Sequence, residues 1–271
     1  MVSIQQQLQK IKKENRLGIM THIVVGYPSL KESEKIIQTM ADAGVDFIEL
    51  QIPFSDPMAD GPTIMQANRH ALQNKTKVKD AFGLMKKMSG KISIPLLFMG
   101  YFNTIFNYGV ERFCREAMEC GCSGLIFPDI PLEEEAKEHF LKFAKKYNLS
   151  NIRVLSPAST PERIKKNAEV ADGFLYFVGR KGTTGAKTKL DEALNCNLEK
   201  IKKYVKIPVA VGFGISETKH IKSLIGKAEV AVIGSAVLDR YAKAGIGKEL
   251  EGVKKFLKLL INSASYKKPT R

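Results

Sequence analysis

Short apolar runs alternate with longer amphipathic stretches along this chain, and that alternation limits the folds open to it. The runs are IMTHIVVG (19–26), FIELQIP (47–53), IPLLFMGY (94–101), GLIFPDIP (124–131), NIRVLSP (151–157), FLYFVGR (174–180), PVAVGFG (208–214) and VAVIGSA (230–236). They are rich in β-branched and aliphatic residues and nearly continuous in apolar character, the pattern of strands covered on both faces of a parallel sheet. Between them lie stretches with a 3.6-residue period and helix-end signals. Residues 29–44 open on Ser29 and close on Gly44, and residues 110–121 end in glycine. Residues 132–148 carry acids in the first turn and lysines in the last, matching a helix dipole. Residues 160–171 open on Thr-Pro, and further helices are expected over 198–205, 217–228 and 247–260.

Eight strands alternating with helices over about 250 residues predict an α/β fold: a closed (β/α)8 TIM barrel, preceded by an amphipathic helix within residues 1–15. A doubly wound open sheet is the alternative. Its first turn would carry a glycine-rich fingerprint, and here that turn reads VGYPS (25–29). No Ser/Gly-rich or Pro-rich linker divides the chain, so one domain is expected over 1–262, with a frayed polar tail over 263–271.

The net charge of +15 narrows the partners. Only nine of the 43 cationic residues are arginine, and the lysines of 144–148, 162–167 and 198–206 fall among apolar residues at helical spacing. That is the pattern of solvated helix faces, and no aromatic–basic interleaving points to nucleic acid. A mild attraction for anionic small molecules remains. No apolar run approaches the roughly 18–20 residues of a membrane span, and the opening residues do not read as a signal peptide, so a cytoplasmic protein is expected. Cys114, Cys120, Cys122 and Cys196 show no CxxC spacing and no pattern with the four histidines. They are read as reduced and structural, with no metal site.

In such a barrel the chemistry sits at the C-terminal ends of the strands. The second strand brings Glu49, followed by Asp56 and Asp60 in a loop stiffened by Pro57 and Pro62. The third brings Tyr101 and Asn103, the fourth Asp129, and the sixth Tyr176, then Arg180 and the loop KGTTGAKTK (181–189). By strand alternation Glu49 can point into the barrel mouth, where a carboxylate out of water can give and take a proton. A loop carboxylate such as Asp60, with more solvent, can steady positive charge, so the two can divide acid/base labour. The plainer reading is a strand-edge acid paired to a lysine, with Asp56 and Asp60 as turn formers; spacing alone does not choose. Glycines at 182 and 185, at 212 and 214 around Phe213, and at 234 let backbone N–H groups approach an anion, and a helix starting at Ser235 would add its positive end. Taken together, the three loops point to a phosphate site.

The stretch ELQIPFSDPMADGPTI (49–64) closely resembles the signature of the tryptophan synthase alpha subunit family. The resemblance continues through PDIPLEE (128–134), FLYFVGRKGTTGA (174–186), PVAVGFGIS (208–216) and VIGSAV (232–237), in order and over nearly the whole chain. It implies a barrel that cleaves indole-3-glycerol phosphate to indole and glyceraldehyde-3-phosphate by a retro-aldol step without a cofactor. The family's catalytic glutamate falls on Glu49, the acid/base. Its aspartate falls on Asp60, which would bond the indole N–H. Substrate contacts fall on Tyr101, Tyr176, Phe213, Gly185, Gly214, Gly234 and Ser235. The loop 179–190 would be a lid whose Thr184 meets the Asp60 loop.

The resemblance also implies a partner, a beta subunit holding pyridoxal phosphate (PLP), which receives the indole in an α2β2 heterotetramer. It would dock on about 54–62, 101–108 and 128–134. The chain departs from the family pattern at Gln51, where glycine is usual, at Tyr27 (usually aspartate), at His22 (usually aromatic), and at Thr104 (usually proline). The lid reads G-T-T-G where G-V-T-G is common. Two alternatives follow: a barrel impaired in catalysis that serves its partner as a binding and activating subunit, or a phosphate-binding barrel acting on a related substrate.

Overall fold

Nine parallel strands make up one sheet among the described residues, 2–179 and 187–266 of this computed structural model. They are β1 (Gly18–Val24), β2 (Phe47–Gln51), β3 (Leu96–Met99), β4 (Gly124–Ile126), β5 (Ser150–Ile152), β6 (Val154–Leu155), β7 (Leu175–Val178), β8 (Val209–Gly212) and β9 (Val230–Ile233). Their order is β5-β4-β3-β2-β1-β9-β8-β7-β6. The two edge strands, β5 and β6, are halves of one apolar run separated by Arg153 alone. The first half pairs with β4 and the second with β7. The ends of the sheet therefore meet through a single residue of chain, and the eight expected runs make a TIM barrel. The run splits because β4 stops at Ile126, two residues before Pro128, which has no N–H to donate. The guanidinium of Arg153 is buried at the gap, donating to Asn167 Oδ1 (2.8 Å) and to the Ile130 carbonyl (2.9 Å).

The helices in chain order are α1 (Ile4–Lys13), α2 (Leu30–Ala43), α3 (Pro62–Gln73), α4 (Val78–Ser89), α5 (Phe102–Tyr108), α6 (Val110–Glu119), α7 (Glu135–Glu138), α8 (Phe140–Lys146), α9 (Pro161–Val170), α10 (Lys187–Lys202), α11 (Thr218–Leu224), α12 (Ser235–Lys243) and α13 (Glu249–Asn262). Ser29 and Thr160 cap α2 and α9 through their hydroxyls, and Gly44 closes α2 in the left-handed region. Three expectations change. Residues 132–148 do not make one helix. His139 is left-handed (φ 54°), and the Glu135 carboxylate accepts from the N–H groups of Leu141 and Lys142, capping a separate α8 whose Phe140 is buried. The helix expected over 198–205 is the end of the longer α10. Two helices, α3 and α4, join β2 to β3, a stretch for which no helix is named from the sequence.

Inside the barrel, Met20, Phe47, Leu97, Met99, Ile126, Ile152, Phe174, Ala210, Val230 and Val232 form one cluster with Ile4 and Ile11 of α1. Helix α1 is the amphipathic helix expected before the first strand. Its Ser3–Gln6 capping box starts it, and its apolar stripe plugs the N-terminal end of the barrel. A buried carboxylate locks the plug. Asp46, 1% exposed, accepts two bonds from the Arg16 guanidinium (2.6 and 2.7 Å), one from Gln7 Nε2 (2.7 Å) and one from Ile19 N (2.8 Å). The C-terminal segment closes over the same end. Ala264 is fully buried and accepts from Leu17 N, and Ser265 bridges to Arg16. Removing one member of a buried charge pair is strongly destabilising. Asp46→Ala is expected to lower stability by about 3 kcal/mol, read as a fall in the urea midpoint.

Candidate active site

Strand alternation sends Phe47, Glu49 and Gln51 to the same, inward face of β2. In the β1–β2 ladder His22 stands directly opposite Glu49, and the two bond, His22 Nδ1 to Glu49 Oε1, at 3.0 Å. Both are buried, at 2% and 3% exposure. Burial works against an imidazolium, but the hydrogen bond and charge of Glu49, with Asp60 behind it, outweigh that and raise His22 above its ordinary value.

Asp60 is delivered from the loop. Gln51 donates from Nε2 to Asp60 Oδ2 at 2.7 Å, and the Tyr101 hydroxyl donates to the same oxygen at 3.1 Å. Tyr101 is itself fixed: Ala59 N donates to its oxygen (3.0 Å), and its ring stacks on Phe54 with centroids 5.1 Å apart. Burial first, then the charge of Asp60, raises its phenol. Asp60 N closes a turn onto the Pro57 carbonyl, and Pro62 begins α3 at a position where no N–H is needed. Asp56 is exposed and accepts from its neighbour Ser55, as a turn former does.

Three buried polar atoms in this cluster have no protein partner: His22 Nε2, Glu49 Oε2 and Gln51 Oε1. Buried polar groups are nearly always paired, so three unpaired ones on adjacent strands mark a place built to meet a polar ligand or water.

Across the mouth, Tyr176 rises from β7. Its phenol is raised by burial first and then by the charges of Glu49 and Asp60, which places it near both acids. A Cβ on Gly212 would lie 2.9 Å from the Tyr176 hydroxyl and 3.2 Å from its Cε2, so this glycine makes room for the tyrosine. Gly214 has φ +83°, which suits glycine. Phe213 between them is buried, edge-on to His220. Gly234 precedes α12 with no side-chain cap on that helix, and a Cβ on it would be 3.9 Å from His22 Cβ. The uncapped N-terminus at Ser235 thus borders the acid cluster.

Two further sequence candidates lie at the start of α5, next to Tyr101. Asn103 is exposed on α5, and Asp129 accepts from Phe102 N at the start of that helix. Arg180, Thr184 and Gly185 lie outside the described residues. Gln51 was legible only as a departure from a pattern. Its signal was local all the same: an amide in an apolar strand, two residues from Glu49 and so on the same face.

Residues 8–267 match the family model described as the tryptophan synthase alpha chain. The chain belongs to that family. It is 44% identical to the tryptophan synthase alpha chain of Desulfotalea psychrophila over 237 residues, 88% of this chain and 92% of that one. It is 37% identical over 266 residues to the tryptophan synthase of Saccharomyces cerevisiae, covering 97% of this chain but 37% of that longer protein. The solved tryptophan synthase subunit alpha of Legionella pneumophila superposes with a TM-score of 0.87 at 28% identity, over 97% of this chain and 98% of that one.

In this member the Gly212–Tyr176 contact is testable by size. Gly212→Ala is expected to lower stability by about 1–3 kcal/mol through overpacking. In the double variant with Tyr176→Phe, the loss should be smaller than the sum of the single losses, measured by urea unfolding.

Proposed function

We propose that the chain is an indole-3-glycerol-phosphate lyase, the alpha half of a tryptophan synthase. The observation that carries this reading is the pairing of two separately held carboxylates at one barrel mouth, Glu49 on the strand and Asp60 on the loop, beside the uncapped N-terminus of α12. Membership of the alpha chain family supports it.

In the proposed reaction the Glu49 carboxyl gives its proton to the ring carbon that bears the glycerol side chain. The ring becomes cationic, and Asp60 stabilises it by accepting the ring N–H. The Glu49 carboxylate then takes the proton of the adjacent side-chain hydroxyl. The carbon–carbon bond breaks, its electron pair returns to the ring, and the hydroxyl carbon becomes the aldehyde of glyceraldehyde-3-phosphate. Glu49 ends protonated as it began, so the step balances on carboxylates alone. Gly185, Gly214, Gly234 and Ser235 would hold the phosphate, the last two through the helix N-terminus. Tyr176 and Phe213 would line the pocket, and Thr184 would close on the Asp60 loop. Tyr101 would act at the site through Asp60.

The same reading assigns a partner, a beta subunit carrying PLP that takes up the indole in an α2β2 assembly. Two apolar side chains support a docking surface at this mouth. Met58, on the loop after β2, is 89% exposed, and Phe106, on the helix after β3, is 54% exposed. The length of the yeast relative, of which this chain covers 37%, fits a synthase with a second functional unit. We place the protein in the cytoplasm on the same reading; among the described residues no helix is long and apolar enough to cross a membrane.

Indole formation from indole-3-glycerol phosphate by the purified chain tests the assignment. Asp60→Asn should lower kcat on the order of 10²–10³-fold while leaving glycerol phosphate affinity unchanged, and near-normal turnover would sink the role given to Asp60. Gly234→Val would crowd the anion's approach between Ile64 and His22, so its glycerol phosphate affinity by calorimetry should fall about tenfold or more. Unchanged affinity would remove the phosphate site from this loop.

A further inference from the structure

Two side chains that the lyase reading leaves without a task each hold one of its carboxylates. His22, on the strand beside Glu49, bonds Glu49 Oε1 at 3.0 Å. Gln51, two residues along the strand that carries Glu49, bonds Asp60 Oδ2 at 2.7 Å. We propose that His22 and Gln51 are positioning residues, each aiming one carboxylate before substrate arrives. The proposal rests on the lyase reading above and adds to it how the two acids are held at a set separation.

The geometry supports a holding role over a packing one. All three strand residues are buried, and each has a second polar atom without a protein partner: Nε2 of His22, Oε2 of Glu49 and Oε1 of Gln51. If these residues only filled space, apolar side chains would do it without leaving buried polar atoms unpaired. Instead His22 and Gln51 each spend one atom on a carboxylate, and Gln51 also acts on the His22 ring, so the three side chains bear on one another. Glu49 thereby keeps Oε2 for the proton transfers, while Oε1 is fixed.

The two bonds on Asp60 have a particular consequence. Gln51 and Tyr101 converge on the same oxygen, Oδ2, from two different strand ends. Two donors on one oxygen set the rotation of the carboxylate and leave Oδ1 to accept the ring N–H. Much of the Asp60 loop is exposed, at Ser55, Asp56, Met58 and Ala59, so local packing gives it little rigidity. Gln51 ties it directly to β2, the strand that carries Glu49, and Tyr101 ties it to the end of β3.

The experiment is steady-state indole formation by the full-length chain and its variants, with glycerol phosphate affinity measured by calorimetry on each. Gln51→Met keeps length and removes the donor. His22→Phe keeps the ring and removes the donor, whereas His22→Asn is smaller but can set its amide nitrogen close to the Nδ1 position. We expect Gln51→Met and His22→Phe each to lower kcat roughly 10–100-fold, the scale of a misplaced reacting group, with glycerol phosphate affinity within twofold of wild type. His22→Asn should retain more activity than His22→Phe.

A packing role predicts the reverse order at position 22 and no loss for Gln51→Met; either result overturns the assignment of that residue. A fall in glycerol phosphate affinity parallel to kcat would indicate general damage to the fold and would also overturn it. Asp60→Asn separates the two levels. If it stops turnover while Gln51→Met and His22→Phe run at the wild-type rate, only the positioning roles fail. If the wild-type chain releases no indole, the lyase reading fails and the positioning roles with it.

Discussion

Parallel pairing is the constraint on which the rest of this molecule depends. Each strand hydrogen-bonds to neighbours running the same way, so every strand opens its C-terminal end on one face and every connection must cross back outside the sheet. Residues far apart in the chain are thereby delivered to one mouth: His22 from β1, Glu49 and Gln51 from β2, Tyr101 after β3, Tyr176 from β7 and Gly234 after β9. The sheet closes at the gap around Arg153, where the end of β4 leaves half a strand without its neighbour and the opposite edge pairs with that half instead.

The two ends of the barrel handle buried polar groups in opposite ways. At the N-terminal end Asp46 is deeply buried and saturated, with Arg16, Gln7 and the Ile19 amide around it. The α1 plug and the returning C-terminal segment close over that carboxylate. At the C-terminal end, His22, Glu49 and Gln51 are equally buried but each is only half satisfied. Buried polar atoms without a protein partner cost stability, and the well-packed barrel around them carries that cost. That asymmetry separates a stability face from a reaction face without reference to any relative, and the family match and the proposed lyase chemistry attach to the second.

The larger part of the fold was legible because its signals are local. Strand runs differ from helical stretches in hydrophobic period, and Ser29, Gly44, Thr160 and Pro161 mark helix ends within a few residues. Glu49 and Asp60 were legible as candidates for the same reason, an acid in an apolar run and another in a proline-stiffened loop. Errors arose where tertiary partners overrode local preference. The stretch 132–148 has the charge pattern of one helix, yet burying Phe140 and capping with Glu135 divides it at His139. Gly212 carries a packing requirement that no local pattern shows, because its neighbour across the sheet is a tyrosine ring.

What the sequence determined by itself is therefore the period of each segment, the inward or outward sense of alternate strand residues, and the chemical types available at each strand end. These are properties of near neighbours in the chain, set by backbone geometry and side-chain chemistry. Only the tertiary structure decided which of those groups touch. The His22–Glu49 bond spans 27 residues and the Tyr101–Asp60 bond 41, and no local rule selects a partner over such distances. The Gln51–Asp60 bond spans only nine residues, yet it forms because the loop is folded back by Tyr101 and by the start of α3. Register and loop path choose among the contacts that composition allows, because closing the barrel brings only certain pairs within hydrogen-bonding reach.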